Sequence, residues 1–130
     1  MSINLQLNSS VLIQGLDNPL ASAAIGRMQI CGTNIVGIVS AGQGGQVFGN
    51  LPIFDLVEQA QATLEPIETS LIFAPAYEVL DAALEAIAAG IPQLIIVTRG
   101  VPPLDMIRLL RQARISNTLI LGSGSAGIII

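Results

Sequence analysis

The sequence predicts an α/β fold: a doubly wound, mainly parallel sheet in one domain spanning residues 1–130. Three observations lead there. Short apolar runs of Ile, Leu and Val recur along the chain, as in strands buried on both faces. Segments with the 3.6-residue periodicity of helices separate them, and alternating β and α units imply a parallel sheet covered by helices. A length of 130 residues is that of one ordinary domain with a core of its own.

The elements follow in order. Val11-Leu12-Ile13 is a first strand, broken at Gln14-Gly15. Pro19 to Cys31 is a helix with Leu20, Ala24, Ile25 and Met28 on one face. Asp17 or Asn18 caps it, Pro19 suits its first turn, and Gly32 closes it. Ile35–Val39 is the second strand. Ser40–Gly49 is a loop holding Gly42, Gly44, Gly45 and Gly49. Pro52-Ile53-Phe54 is a brief third strand. Asp55 to Thr63 is a helix with Asp55 at its cap and Glu58 at capping-box spacing. Ser70–Phe73 is the fourth strand, ended by Pro75, and Val79–Ala89 is a helix closed by Gly90. Leu94–Thr98 is the fifth strand. Pro103–Arg114 is a helix with proline at its start and Arg108, Arg111 and Arg114 towards its negative end. Thr118–Leu121 is the sixth strand. In a doubly wound sheet, ligands sit at the carboxyl ends of the strands. That places Gln14–Pro19, Ser40–Gln46, Ala74–Tyr77 and Arg99–Pro102 around any site.

Composition excludes several function classes. Nine acidic residues face five basic ones, all Arg, for a net charge of −4. A nucleic-acid partner calls for the opposite balance. No histidine is present and Cys31 is the lone cysteine. A Ser-His-Asp or Cys-His site therefore cannot be built, nor a zinc site of the usual ligands, and no catalytic or metal residue is assigned. The apolar runs fall short of the roughly 20 residues a spanning helix needs, which argues against a membrane partner. The N-terminus lacks the pattern of a signal peptide, and the single thiol suits a reducing, cytoplasmic setting.

A set of motifs runs along nearly the whole chain: Gln14-Gly15, Gly32-Thr33, Ala41-Gly42-Gln43-Gly44-Gly45, Gly49-Asn50-Leu51-Pro52-Ile53-Phe54 and Ala74-Pro75-Ala76. Leu84-Glu85-Ala86-Ile87-Ala88-Ala89-Gly90-Ile91, Thr98-Arg99-Gly100-Val101-Pro102 and Leu104-Asp105-Met106 complete it. In order and spacing these segments resemble the N-terminal CoA-binding, Rossmann-like domain of the succinyl-CoA ligase alpha subunit. The resemblance implies a site for CoA or a CoA-like nucleotide in part of an acid–thiol ligase. It places that site on Gly15, Leu16, Asp17, Asn18 and Leu20 after the first strand, and on Val39, Ser40 and Gln43 after the second. Phe73, Ala74 and Pro75 follow the fourth strand, and Thr98, Arg99 and Gly100 the fifth.

Departures from the family pattern bear on phosphate binding. The family's first loop continues with Thr, Gly, Gln and Gly, small residues that let backbone N–H groups approach phosphate. Here only Gly15 of that set survives. Asp17 brings negative charge, worth on the order of 1 kcal/mol of repulsion at close range, and Pro19 removes a donor. The family's Lys between glycines is Gln43, its Thr-Glu-Gly is Thr98-Arg99-Gly100, and its Asn-Cys-Pro-Gly is Ser123-Gly124-Ser125-Ala126-Gly127. The family's second domain, with its phosphorylated His, is missing from this chain. The ending on Ile128-Ile129-Ile130 favours excision from a longer protein over a stand-alone relative.

Each candidate has a plainer alternative. The glycine loop serves a ligand or only a turn. Asp17 is a helix cap or a ligand contact, and Arg99 pairs with Glu78 or Asp105 or attracts an anion. Cys31 is expected to pack rather than react, Glu85 to be solvated or capping, and Tyr77 to line the cleft or merely cover it. Three functions remain: a CoA or nucleotide module weakened in phosphate binding and not catalytic alone, a degenerate domain kept for oligomerisation or subunit contact, and one domain of a larger acyl-CoA ligase. The apolar composition points to a homo-oligomer, and the resemblance implies a partner ligase subunit.

Overall fold

The computed structural model describes residues 10–16, 19–64 and 66–122, with the backbone of 128–129. Six strands run parallel: β1 (Val11–Gln14), β2 (Ile35–Val39), β4 (Leu51–Phe54), β5 (Thr69–Ile72), β6 (Gln93–Ile96) and β7 (Leu119–Gly122). Two short strands add antiparallel edges, β3 (Val47–Phe48) on β4 and β8 (Ile128–Ile129) on β7. The order is β3-β4-β2-β1-β5-β6-β7-β8. From β1 the chain first builds outwards through β2 and β4. It then returns to β5 on the other flank of β1 and builds outwards again. The topological switch point is therefore the crevice between β1 and β5, where doubly wound sheets bind ligands.

Among the described residues four α-helices connect the strands: α1 (Pro19–Ile30), α2 (Val57–Thr63), α3 (Val79–Ala88) and α4 (Pro103–Ser116). Helix α1 packs Ala21 and Ile25 against Val11, Ile13, Ile38 and Phe73 on one face of the sheet. The other three cover the opposite face, where Val57, Ala60, Val79, Ala83, Leu109 and Ala113 meet Leu12, Ile72, Leu94, Ile96 and Ile120. The imbalance has a cause in the connection from β2 to β4. It spends its residues on the glycine loop and the β3 hairpin rather than on a second helix for the α1 face. None of the described helices is long and apolar enough to cross a membrane.

Three helix ends share one device. After α1, Thr33 N–H donates to Met28 C=O at 2.9 Å, and Gly32, at φ 85°, donates to Gln29 C=O at 3.1 Å. Gly90 ends α3 with the same pair of bonds, from Ile91 to Ala86 and from Gly90 to Ile87. Asn117 does so for α4 at φ 57°, the tolerated non-glycine choice at a left-handed cap.

The doubly wound α/β expectation holds, with several local corrections. Helix α1 ends at Ile30 and buries Ala21 and Ile25, whereas Leu20 stands 60 % exposed. Cys31, expected to pack, is exposed. The two edge strands and the 3-10 turn at Ala76–Glu78 were not foreseen, and α4 runs on to Ser116. Helix α2 begins at Val57 with Leu56 in the cap position, so Asp55 is not its cap. The glycine loop competes for the Asp55 carboxylate and takes it, as described below.

Candidate functional site

A cleft of about 610 Å3 opens over the carboxyl ends of the strands at the switch point. Gln14 and Gly15 from the end of β1 and Phe73, Ala74 and Pro75 from the end of β5 line it, with Val39, Ser40, Ala41, Asp55 and Thr98 around them. Helix α3 and the turn before it add Glu78, Asp81, Ala82 and Glu85. The size is ordinary for a small-molecule site.

The floor is set by two residues. Gly15 sits at φ 100°, and a Cβ there would lie 2.9 Å from Ala74 N and 2.9 Å from the Phe73 carbonyl carbon. Only glycine lets the end of β1 come this close to β5. Gln14, 3 % exposed, ties three elements together below the cleft. Its Nε2 donates to Ala82 C=O at 3.0 Å, and its Oε1 accepts from Ser70 Oγ at 2.6 Å. Across the cleft, Thr98 Oγ1 donates to Ala74 C=O. Buried polar groups need such partners, so these bonds fix the spacing of β1, β5, β6 and α3 at the site.

The walls carry charge of one sign. Asp55, Glu78, Asp81 and Glu85 all line the cleft, and among the described residues no arginine does. Two of these carboxylates are engaged by backbone donors. Glu85 Oε2 accepts from Val57 N–H at 2.7 Å, capping α2 from a neighbouring helix because Leu56 has no acceptor to offer. The back-bond of a capping box is made by Gln59, whose Oε1 accepts from Leu56 N–H at 3.2 Å. Asp55 Oδ1 accepts from Gly42 N–H at 2.9 Å and from Gly44 N–H at 3.0 Å. Among the described residues no group of three or more Cys, Asp or Glu is arranged to hold a metal ion.

The structure brings Gly15, Val39, Ser40, Phe73, Ala74, Pro75 and Thr98 of the expected set into one cleft. It does not bring Leu16, Leu20, Gln43, Arg99 or Gly100 into the lining. Leu16 packs against the α1-side core, and Arg99 and Gly100 are exposed one and two residues beyond Thr98. Gln43 turns its Oε1 into a buried position without a hydrogen-bond partner among the described residues. Tyr77 is 75 % exposed and lies outside the lining. Asp17, Asn18 and Ser123–Gly127 lie outside the described residues. Sequence reasoning placed Gln14 and Ala41 in the strand-end loops around the site without naming them as contacts, and missed Asp55, Glu78, Asp81, Ala82 and Glu85 as lining residues. The signal was available for α3: positions 78, 81, 82 and 85 fall on one helical face, directly after the strand that forms the cleft floor.

Residues 7–100 match the family described as CoA binding domain. This chain belongs to the CoA-binding domain family. It is 34 % identical over 122 residues to the succinate–CoA ligase [ADP-forming] subunit alpha 1 of Archaeoglobus fulgidus, covering 94 % of this chain and 42 % of that protein. It is 33 % identical over 129 residues to the corresponding alpha subunit of Staphylococcus aureus, covering 99 % of this chain and 42 % of the relative. The chain thus spans about two-fifths of the length of these relatives. Among solved structures, ATP citrate lyase from Methanothrix soehngenii in complex with citrate and coenzyme A has the same fold over 92 % of this chain and 21 % of that one. Its TM-score is 0.80 at 18 % identity.

Proposed function

We propose that the chain is a CoA-binding-type domain over residues 1–130 that holds CoA or a CoA-like adenine nucleotide in the switch-point cleft, with weakened hold on phosphate and no catalysis of its own. Gly15 carries this reading: its missing Cβ keeps the β1–β5 crevice closed at its floor while the cleft above stays open to a ligand. The four lining carboxylates explain the weakening, since each repels a phosphate by on the order of 1 kcal/mol at about 4 Å in water. Arg99, next in sequence to the lining residue Thr98, is the basic group closest along the chain to the site. Relatives that are ligase alpha subunits more than twice as long support a role as one part of an acid–thiol ligase, completed by further domains or a partner subunit. Isothermal titration calorimetry at low salt with CoA, and with ADP and NAD as comparators, tests the reading. Micromolar CoA binding supports it, and no heat with any of the three overturns it.

A second reading is a scaffold. Leu104, Ile107 and Ile115 stand 57 %, 53 % and 73 % exposed on α4, interleaved on one face with the exposed Arg108 and Arg111, a mixed apolar and basic surface that supports a role in subunit contact. Light scattering on the same sample decides: silence towards nucleotides together with a defined oligomer favours the scaffold.

A further inference from the structure

The glycine loop spends its donors inside the chain. From Gly42 to Gln46 every backbone N–H has an internal acceptor. Gln43 donates to Ser40 C=O at 3.1 Å, Gly45 to Ile53 C=O at 3.0 Å and Gln46 to Gln43 C=O at 3.2 Å. Gly42 and Gly44 converge on a single atom, Asp55 Oδ1. Two N–H groups aimed at one oxygen, with Gly42 and Gly45 at φ 85° and 89°, form the concave donor cluster that elsewhere binds anions. The glycine at 44 belongs to the same arrangement: a Cβ there would lie 2.5 Å from Asp55 Oδ2 and 2.6 Å from its Cγ. The carboxylate rests flat on a residue that has no side chain to push it off. At the tip of the loop Gln43 buries its Oε1 without a hydrogen-bond partner among the described residues.

We propose that Asp55 is a specificity-determining residue: its carboxylate occupies the N–H nest of the Ser40–Gln46 loop as an internal anion and excludes phosphate groups from it. This rests on the cleft being a nucleotide site. A phosphate-bearing ligand then anchors through its other parts, on the Gly15, Ala74 and Thr98 side. Because the competing anion is tethered to the loop it blocks, a free phosphate has to displace a charge-assisted pair of bonds rather than water.

The test follows the Gly42 and Gly44 amide resonances of the 15N-labelled chain during titration with inorganic pyrophosphate. Wild type is compared with Asp55→Ala and with the near-isosteric Asp55→Asn. Asn can accept the same two bonds and keep the loop folded, yet its neutral oxygen yields to an anion. Both amides are expected to stay still in wild type and to move in the variants. CoA affinity measured in parallel is expected to rise about fivefold in Asp55→Asn, the factor for one unit charge at about 4 Å across water. Movement of both amides in wild type, or stillness in both folded variants, overturns the proposal whatever CoA does. If CoA binds none of the proteins while pyrophosphate moves the amides in the variants alone, the proposal stands and the CoA reading falls.

Discussion

Gly15 and Gly26 make a matched pair of substitutions to alanine with opposite expected signs. Gly15 combines a left-handed backbone with a Cβ position 2.9 Å from backbone atoms of Phe73 and Ala74. A non-glycine residue in such a conformation costs about 1–3 kcal/mol. Forcing a methyl group against fixed backbone costs about 1–3 kcal/mol more. Gly15→Ala should therefore destabilise by about 2 kcal/mol at least, a large share of the roughly 5–15 kcal/mol that holds a domain folded. Gly26 lies in α1, exposed, with nothing within 4 Å of its Cβ position. Gly26→Ala should stabilise by about 0.5–1 kcal/mol through helix propensity and lost unfolded-state entropy. Urea denaturation followed by circular dichroism measures both, and a shift of midpoint at constant slope reports stability alone. Two outcomes would refute the reasoning: Gly15→Ala within about 0.5 kcal/mol of wild type, or both substitutions moving the midpoint in the same direction.

Other expectations rest on single contacts. Glu85→Ala removes the acceptor for Val57 N–H and should cost about 1–2 kcal/mol in the same urea assay, with Glu85→Gln retaining most of it. Gln14→Leu strands the Ser70 hydroxyl in the core and should cost about 1–3 kcal/mol, part of which returns in Gln14→Leu/Ser70→Ala, as a double-mutant cycle would show. Arg99→Glu, at an exposed position, should leave the urea midpoint within about 0.5 kcal/mol and weaken CoA binding by calorimetry. Cys31 is exposed, so iodoacetamide should label the native protein without denaturant; protection until unfolding would contradict its placement.

The strands and helices of the sheet were legible because each carries a local signal. Val11–Ile13 and Leu94–Ile96 are β-branched or leucine runs too short for helices, Ile35–Val39 is one interrupted only by Gly37, and Pro19 and Pro103 both stand at the first helical residue as expected. The edge pairing of Val47–Phe48 was not legible, since two residues are too few to show a period and their partner is set by the turn at Gly49. The cleft was half legible. Residues at strand ends, such as Gly15, Ser40, Ala74 and Thr98, follow from topology and from the family resemblance. Asp55 was misassigned because a carboxylate before a helix satisfies the local rule for a cap. The competing acceptor demand comes from Gly42 and Gly44, 13 and 11 residues away in sequence, and no local pattern reveals that contest. Asp81 shares a helical face with Glu78, Ala82 and Glu85, a grouping the sequence does show, but which face of α3 turns to the cleft depends on how the helix rolls onto the sheet.

The uneven clothing of the sheet has a consequence for motion. On its side of the sheet α1 stands alone among the described helices, and only Ala21 and Ile25 of its twelve residues are buried. Helices α2, α3 and α4 support one another in a shared core. Local stability follows buried apolar contact, so amide protons of α1 should exchange through a cheaper, sub-global opening than those of α3 and α4. That opening would bare the β1 and β2 side of the sheet while the opposite side stays intact. The strand that ends at Gly15 is thus followed, four residues on, by the labile helix, while the firm core carries the α3 wall of the cleft.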